Sequence, residues 1–259
     1  MSSESDRCYI RHTTLPIDED LTNEFKAHRD LSDVDYSDMK YTPARGGGYC
    51  TKIVRKRASI SKSICAMLNT GLKSKLFLGV TDEGVVEGFI MTMYQRDHFI
   101  LSLQDLLSRF HPPCPTNAIE TRFVPVLDPD EDYQVQLEVC SPSPSRWLGH
   151  TIRDSRYCWC DTEALALCAN GLIPRFYVIE LSLTGWNPKI SKTCPIFANE
   201  YKRVYIRRNG YVEAVTNASD IESLKQTDFR DRDNSEKYVN LFEVSDEDFY
   251  SYDEDENNN

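Results

Sequence analysis

The 259-residue chain is 40% hydrophobic and carries a formal net charge of -11, a composition typical of packed globular domains. It contains no run of about 18 uncharged apolar residues, which excludes a membrane-spanning helix, and its first residues lack the basic-then-apolar pattern of a signal peptide. We therefore expect a cytoplasmic protein without membrane contact. Its nine cysteines are then thiols or metal ligands rather than disulfides.

Strand-like and helix-like patterns alternate from the N-terminal third onward. "TNEFKAH" (22–28) predicts a strand in which Glu24 and Lys26 share one face and Phe25 occupies the other. "ASISKSICAMLNTG" (58–71) predicts a helix that stops at residue 70 or 71. "KLFLGV" (75–80), the turn "TDEG" and "VVEGF" (85–89) predict a hairpin with a carboxylate at its tip.

The second half of the chain continues this alternation. The predicted elements are a helix in "FILSLQDLLSRF" (99–110) that stops before Pro112, a hairpin from 121–127 to 133–140, a helix at 162–171, a strand at 175–183, a hairpin at 203–215 with a type I′ turn at Asn209-Gly210, and a helix at 219–226. These elements predict an α/β fold, a mixed sheet with hairpins and flanking helices.

The charge of the chain is unevenly distributed. Residues 226–259 hold 3 basic and 12 acidic residues, whereas residues 39–225 hold 23 basic and 19 acidic ones. We expect an N-terminal segment (1–14), one folded domain (15–227) and a disordered acidic tail (228–259), because the tail has too few apolar residues to form a core. The mildly basic middle is compatible with a nucleic-acid partner.

Two acids near the start of the domain, Glu19 and Glu24, lie five positions apart and can meet only if the backbone bends between them. Two neighbouring carboxylates favour a bound cation or a shared proton, and Mg²⁺ or Mn²⁺ takes oxygen ligands while keeping waters for substrate phosphates. Asp82 at the predicted hairpin tip is a possible third ligand, and Lys26 could assist with an anionic substrate. The alternative is an ordinary acidic surface next to one amphipathic strand.

Soft metal ligands occur in two tight pairs, His111-x2-Cys114 and Cys158-x-Cys160. One histidine and three cysteines would form a closed tetrahedral zinc site with a structural role. The alternative is a set of unconnected buried thiols.

Basic residues precede and enter the first predicted helix, and two more lie on the last hairpin. Such residues near a groove would make salt-dependent, largely sequence-independent contacts with RNA phosphates, and the alternative is a solvated basic face. The candidates are Lys52, Arg55, Lys56, Arg57, Lys62, Arg207 and Arg208.

The order of these motifs resembles a known family. "E-x4-E-F-K" (19–26), "SICAMLNT" (63–70), "LFLGVTDEGVVEGF" (76–89) and "VYIRRNGYVEA" (204–214) resemble the Schlafen core, a divergent AlbA-like domain. The resemblance implies a metal-dependent endoribonuclease that acts on structured small RNAs such as transfer RNA. It implies Glu19, Glu24 and Asp82 as the three catalytic metal ligands, and a structural zinc held by one histidine and three cysteines.

One departure from the family pattern bears on activity: Thr81 stands where the family often has the first aspartate of a pair. If that aspartate is the ligand, this chain is a catalytically silent partner that binds RNA or completes the site of another subunit. A nucleic-acid-binding regulatory module is a third reading. The family's vertebrate core has two related lobes that close around RNA, whereas we expect this chain to form a single AlbA-like lobe. This difference implies a homodimer, or a heterodimer with another Schlafen-like subunit.

Overall fold

A mixed β-sheet forms the centre of the protein. The computed structural model describes residues 7–32, 39–43, 49–53, 59–128, 148–153, 158–185, 195–208, 210–217 and 219. Within these residues, six strands form one sheet in the order β1 (Tyr9–Ile10), β7 (Ile119–Leu127), β8 (Phe176–Leu183), β5 (Ser74–Leu78) and β2 (Asn23–Lys26), with β6 (Phe89–Ile90) pairing with β8. The β1–β7 and β5–β2 pairs are parallel and the others antiparallel. The predicted α/β fold with a mixed sheet is confirmed.

Helices α1 (Ile60–Thr70), α2 (Met93–Ser108) and α3 (Trp159–Ala169) flank the sheet. Helix α1 ends as predicted, because Gly71 adopts φ 70, a left-handed conformation that costs glycine little. Helix α2 begins six residues before the predicted start, since Thr92 and Gln95 form a capping box that satisfies the first free backbone amides. No helix in the described part of the chain is long and apolar enough to span a bilayer.

Two hairpins lie outside the main sheet, β3 (Met39–Pro43) with β4 (Tyr49–Ile53), and β9 (Val204–Arg208) with β10 (Tyr211–Val215). The second of these is the predicted hairpin. The predicted hairpin at 75–89 is reduced to a Val80–Val86 bridge. Gly88 has φ 69 and interrupts its second strand, which then pairs with the start of β8 as β6.

Some predicted features lie outside the described residues: the strand at 133–140, the helix at 219–226 beyond Ser219, the Asn209 half of the turn, and the acidic tail. All the described residues belong to one compact unit, Met1–Lys225.

The two faces of the sheet carry separate apolar clusters. Leu76 belongs to the larger cluster, which includes α1 and α2 residues, whereas Phe77 belongs to a smaller cluster on the other face. Glu24 pairs with Leu76 and Phe25 with Phe77 in the β2–β5 register. Glu24 therefore points toward α1, and Phe25 anchors β2 in the opposite cluster.

Candidate functional site

Glu24 is a buried carboxylate, only 3% exposed, with donors at both oxygens. Its Oε1 accepts a hydrogen bond from Ser63 Oγ on α1 at 3.0 Å and lies 2.5 Å from Lys26 Nζ. Its Oε2 accepts a hydrogen bond from Arg207 Nη1. A hydroxyl and two cations thus satisfy this carboxylate inside the protein.

Arg207 is the innermost of these partners, because its side chain is fully buried. Its Nε donates to Asp20 O at 2.5 Å, and its Nη2 donates to Asn23 O at 2.7 Å. Every guanidinium nitrogen is bonded to the β2 region, which joins the β9–β10 hairpin to the main sheet. The suggestion that Arg207 contacts RNA does not fit this burial; strand alternation turns Arg207 inward and the neighbouring Arg208 outward.

Glu19 does approach Glu24, because the backbone bends between them. Asp20 Oδ1 accepts hydrogen bonds from the Thr22 and Asn23 amides at 2.6 and 2.7 Å, which closes a local turn. Glu19 Oε1 then accepts from the Phe25 amide at 2.7 Å and lies 3.9 Å from Lys26 Nζ. Burial, and secondarily the charge of Glu24, raises the pKa of Glu19.

Asp82 lies in the turn that follows β5. It is exposed in a turn closed by Thr81 N to Val85 O and Gly84 N to Thr81 O bonds, both 2.9 Å. A Cβ added at Gly84 would lie 3.6 Å from the Phe25 ring, so the Gly84 end of the turn packs on the Phe25 face.

Thr81 caps this turn with its side chain. Its Oγ1 accepts hydrogen bonds from the Glu83 and Val85 amides at 3.3 and 3.2 Å. In this chain the residue at the family's aspartate position thus has a local role in the turn.

The structure brings two of the three predicted metal ligands together and leaves the third apart. In the described part of the chain, Glu19, Glu24 and Asp82 do not form a group whose ligand atoms converge. Two acids converge, but Lys26 and Arg207 balance their charge.

The other residues predicted to contact RNA differ in exposure, and some lie outside the described residues. Arg208 is exposed, and its Nε lies 2.5 Å from Glu213 Oε2. Lys62 is half-buried in the first turn of α1. Lys52 belongs to β4, where only the backbone is described, and Arg55, Lys56 and Arg57 lie outside the described residues.

A second cluster combines two histidines with two cysteines: His98, His150, Cys158 and Cys160. Their ligand atoms all lie within 4.8 Å of one another, with His98 Nδ1 3.2 Å from Cys160 Sγ and His150 Nδ1 3.4 Å from Cys158 Sγ. A tetrahedral zinc ion with ordinary bond lengths separates its ligand atoms by about 3.3–3.8 Å. The cluster could therefore hold a metal such as zinc.

Contacts between α2 and α3 bring this cluster together. Gln95 completes the α2 capping box and also donates through Nε2 to Asp161 Oδ1 at 2.7 Å, in the first turn of α3. This bond places His98, one turn after Gln95, beside Cys160. Cys158 is the residue before α3, and the His150 ring stacks on the rings of His98 and Trp159.

Burial acts on both ligand types in this cluster. Burial raises the pKa of the Cys160 thiol. It lowers the pKa of His98 to about 4 and also lowers the pKa of His150. In the metal-free protein at neutral pH the two histidines and the Cys160 thiol are therefore uncharged.

The predicted partners of Cys158 and Cys160 lie elsewhere. His111 is exposed, and its backbone pairs with Ala198. Cys114 is buried, which raises its pKa to about 11, and its thiol donates to Pro115 O at 3.7 Å. The α2 segment from His98 to Ser108 is about 15 Å long, and α3 begins beside its first turn, so residues beyond the end of α2 are remote from Cys160.

Sequence reasoning missed both histidines of the cluster for different reasons. His150 precedes Cys158 by only eight residues, and that spacing is a usable local signal. His98 lies 62 residues before Cys160 on another helix, and no local pattern connects them.

A comparison with family models identifies one region of the chain. The model of the Schlafen-like domain of nematodes matches residues 56–146. The matched region includes α1, β5, β6, α2 and the β7 strand, and thus both His98 and the Thr81–Val85 turn.

Proposed function

We propose, from the premise that residues 56–146 are a Schlafen-like domain, that this chain is an RNA-binding subunit of an RNA-cleaving assembly and is catalytically silent on its own. One observation carries the proposal: both oxygens of Glu24 are bonded to positively charged side chains of the same chain.

Charge balance argues against a resident divalent ion. Glu19 and Glu24 contribute two negative charges, and Lys26 and Arg207 contribute two positive ones. An incoming Mg²⁺ or Mn²⁺ would have to displace Lys26 from Glu24 and would still meet Arg207 at the second oxygen. These ions need several free oxygen ligands, which this arrangement does not offer.

The position of Asp82 supports the same conclusion. It is exposed on the turn that packs against the Phe25 face, while Glu24 faces α1. In the described part of the chain, the Asp82 carboxylate does not converge with Glu19 and Glu24, so it cannot complete a site around Glu24 without a rearrangement of the turn.

RNA binding is the part of the family activity that this arrangement leaves intact. The segment between the acidic ends is mildly basic, with 23 basic and 19 acidic residues in 39–225. Contacts with phosphates require only exposed cations and no converging acids. We also propose that the chain pairs with a second copy or with another Schlafen-like subunit, which sedimentation analysis of the purified protein would test.

We further propose a structural zinc ion at His98, His150, Cys158 and Cys160. Four protein ligands leave no position open for water, as in zinc sites that stabilise a fold. When bound, zinc would supply four bonds that connect α2, α3 and the segment at His150.

An active nuclease is the second candidate, and the convergence of Glu19 and Glu24 on Lys26 favours it. Lys26 Nζ lies 2.5 Å from one acid and 3.9 Å from the other, so movement of this one side chain would uncover part of both carboxylates.

Cleavage assays separate the two candidates. The full chain is incubated with end-labelled transfer RNA and with a hairpin RNA, in Mg²⁺ or Mn²⁺, beside Glu24→Gln and the control Glu120→Gln, which alters an exposed carboxylate on β7. We expect RNA binding that weakens with salt, and no cleavage by any of the three proteins. Metal-dependent cleavage that Glu24→Gln abolishes and Glu120→Gln retains would contradict the silent reading.

A further inference from the structure

A short turn before β9, residues Asn199–Arg203, is closed by its own hydrogen bonds. Asn199 is fully buried, and its Oδ1 accepts from the Tyr201 and Arg203 amides, both at 3.1 Å. Asn199 N donates to Arg203 O at 2.9 Å, and Lys202 N donates to Asn199 O at 2.8 Å. The turn holds Lys202 at φ 60, a left-handed conformation that is uncommon for a lysine.

Helix α1 fixes both ends of this turn. Asn69 Nδ2 donates to Phe197 O at 2.9 Å and to Tyr205 O at 2.8 Å, and Asn69 Oδ1 accepts from Phe197 N at 2.7 Å. The Cys65 thiol donates to Phe197 O at 3.2 Å. The turn is thus a rigid projection from the domain rather than a free loop.

The turn presents one aromatic and two cationic side chains to solvent. Tyr201 is 41% exposed, and Lys202 and Arg203 are also exposed. The acid of the turn, Glu200, is half-buried and accepts a hydrogen bond from Ser32 Oγ at 2.8 Å. The Tyr201 hydroxyl lies 3.5 Å from the same Ser32 oxygen, which restrains one end of its ring.

A further cation lies along the same edge of the domain. Ser61 N donates to Leu31 O, next to Ser32, so the first turn of α1 adjoins the segment that holds Glu200 and Tyr201. Lys62 follows Ser61 in that helical turn and is half-exposed.

We infer that the Asn199–Arg203 turn is an RNA-contact site, in which an unpaired base stacks on Tyr201 while Lys202 and Arg203 bind the adjoining phosphates. Single-stranded RNA is commonly recognised in this way, through aromatic rings that stack on exposed bases beside cations that follow the backbone. The inference rests on the proposed RNA-binding function and names the part of the surface that performs it.

Binding measurements on the full chain test this assignment. The probes are a fluorescein-labelled single-stranded oligoribonucleotide and a fully paired RNA duplex, titrated by anisotropy at several salt concentrations. The variants are Tyr201→Ala, Tyr201→Phe and the double variant Lys202→Gln/Arg203→Gln. The matched control is Lys73→Gln/Lys75→Gln, which neutralises two exposed lysines at the other end of α1 and on β5.

We expect Tyr201→Ala to weaken single-strand binding by about 5-fold or more, as loss of one stacked base predicts, and Tyr201→Phe to bind like the wild type. The double variant should lower the slope of log Kd against log salt by about 1.4, from two lost phosphate contacts at roughly 0.7 each. The control should change neither quantity, and the duplex should be less sensitive to Tyr201→Ala than the single strand.

Two failures have different meanings. If the wild type binds RNA, and Tyr201→Ala and Lys202→Gln/Arg203→Gln bind it equally well with unchanged thermal unfolding, the assignment of the turn is wrong. The proposed RNA-binding function then stands. If the wild type binds neither probe, the proposed function fails and the assignment fails with it.

Discussion

The Glu24 cluster and the His98–Cys160 cluster are both buried groups of residues that commonly bind metals, but they are stabilised in opposite ways. Around Glu24, the chain supplies its own cations, Lys26 and Arg207, which neutralise the acids. Around Cys160, burial raises the pKa of the Cys160 thiol and lowers the pKa of the His98 imidazole, so both are displaced toward the uncharged form.

This contrast shows that residue type alone does not decide whether a buried group can bind a metal, because the neighbouring side chains also matter. An acid whose lone pairs are already occupied by arginine and lysine offers few free oxygen ligands to a divalent ion, whatever metal its residue type could bind. Thiols release a proton and imidazoles stay neutral when they bind a metal, so these groups make their strongest bonds only when the ion is present. The predictions below test this difference, beginning with the largest expected effect.

Zinc content should depend on the four clustered residues. Purified protein is expected to contain about one zinc per chain, and Cys158→Ser or His98→Ala should remove it, because a closed tetrahedral site needs all four ligands. Atomic absorption measures the metal content. The controls are Cys114→Ser and His111→Ala, which should keep the zinc. Loss of zinc in both controls, together with its retention in His98→Ala, would instead support the ligands predicted from sequence.

Arg207→Ala should destabilise the protein far more than Arg208→Ala. Removing Arg207 leaves Glu24 buried with an uncompensated oxygen, and breaking a buried ion pair costs about 3–5 kcal/mol of unfolding free energy. Arg208 forms an exposed pair with Glu213, which is worth less than about 1 kcal/mol. Urea denaturation of both variants measures the difference, and equal losses would contradict the structural role of Arg207.

Glu19→Gln should alter the pH dependence of stability. Because the folded-state pKa of Glu19 is raised above the ordinary value of 4.5, the folded protein binds this proton more tightly than the unfolded chain. Its stabilising contribution is present at low pH and is lost as the pH rises from about 4.5 through the raised pKa. The difference in unfolding free energy between wild type and Glu19→Gln should change across this window, and a constant difference would show that the Glu19 pKa is not raised.

Asp82→Asn should have the smallest effect. The side chain is exposed in a turn whose bonds come from Thr81 and the backbone, so we expect a change within about 0.5 kcal/mol. Calorimetric titration with Mn²⁺ should also give the same result for the variant and the wild type. Loss of a Mn²⁺-binding event in Asp82→Asn would mean that the turn reaches Glu24 in solution.

Local patterns predicted a large part of this molecule. The two-residue period of "EFK" placed Phe25 in the core and Glu24 with Lys26 on the other face, as the ion pair between these two residues shows. The helical period and Gly71 marked the end of α1, and the spacing of Cys158 and Cys160 marked one half of the His–Cys cluster. The Thr92–Gln95 capping signal was also present and would have corrected the start of α2.

Local sequence patterns could not predict which distant residues contact these positions. Arg207 lies 183 positions from Glu24, and His98 lies 62 positions from Cys160. The position of the Thr81–Val85 turn, and with it that of Asp82, depends on packing of Gly84 against Leu15 and Phe25, which are distant in sequence.

The sequence by itself determined the α/β class, the faces of the "EFK" strand and the cysteine pair, because backbone periodicity and turn chemistry act over a few residues. Only the tertiary structure decided that Arg207 is bonded to Glu24, that Asp82 stays apart from the other two acids, and that His98 and His150 join the cysteines. These contacts join residues that are far apart in sequence, so they depend on which helices and strands pack together. A local sequence pattern does not contain that information.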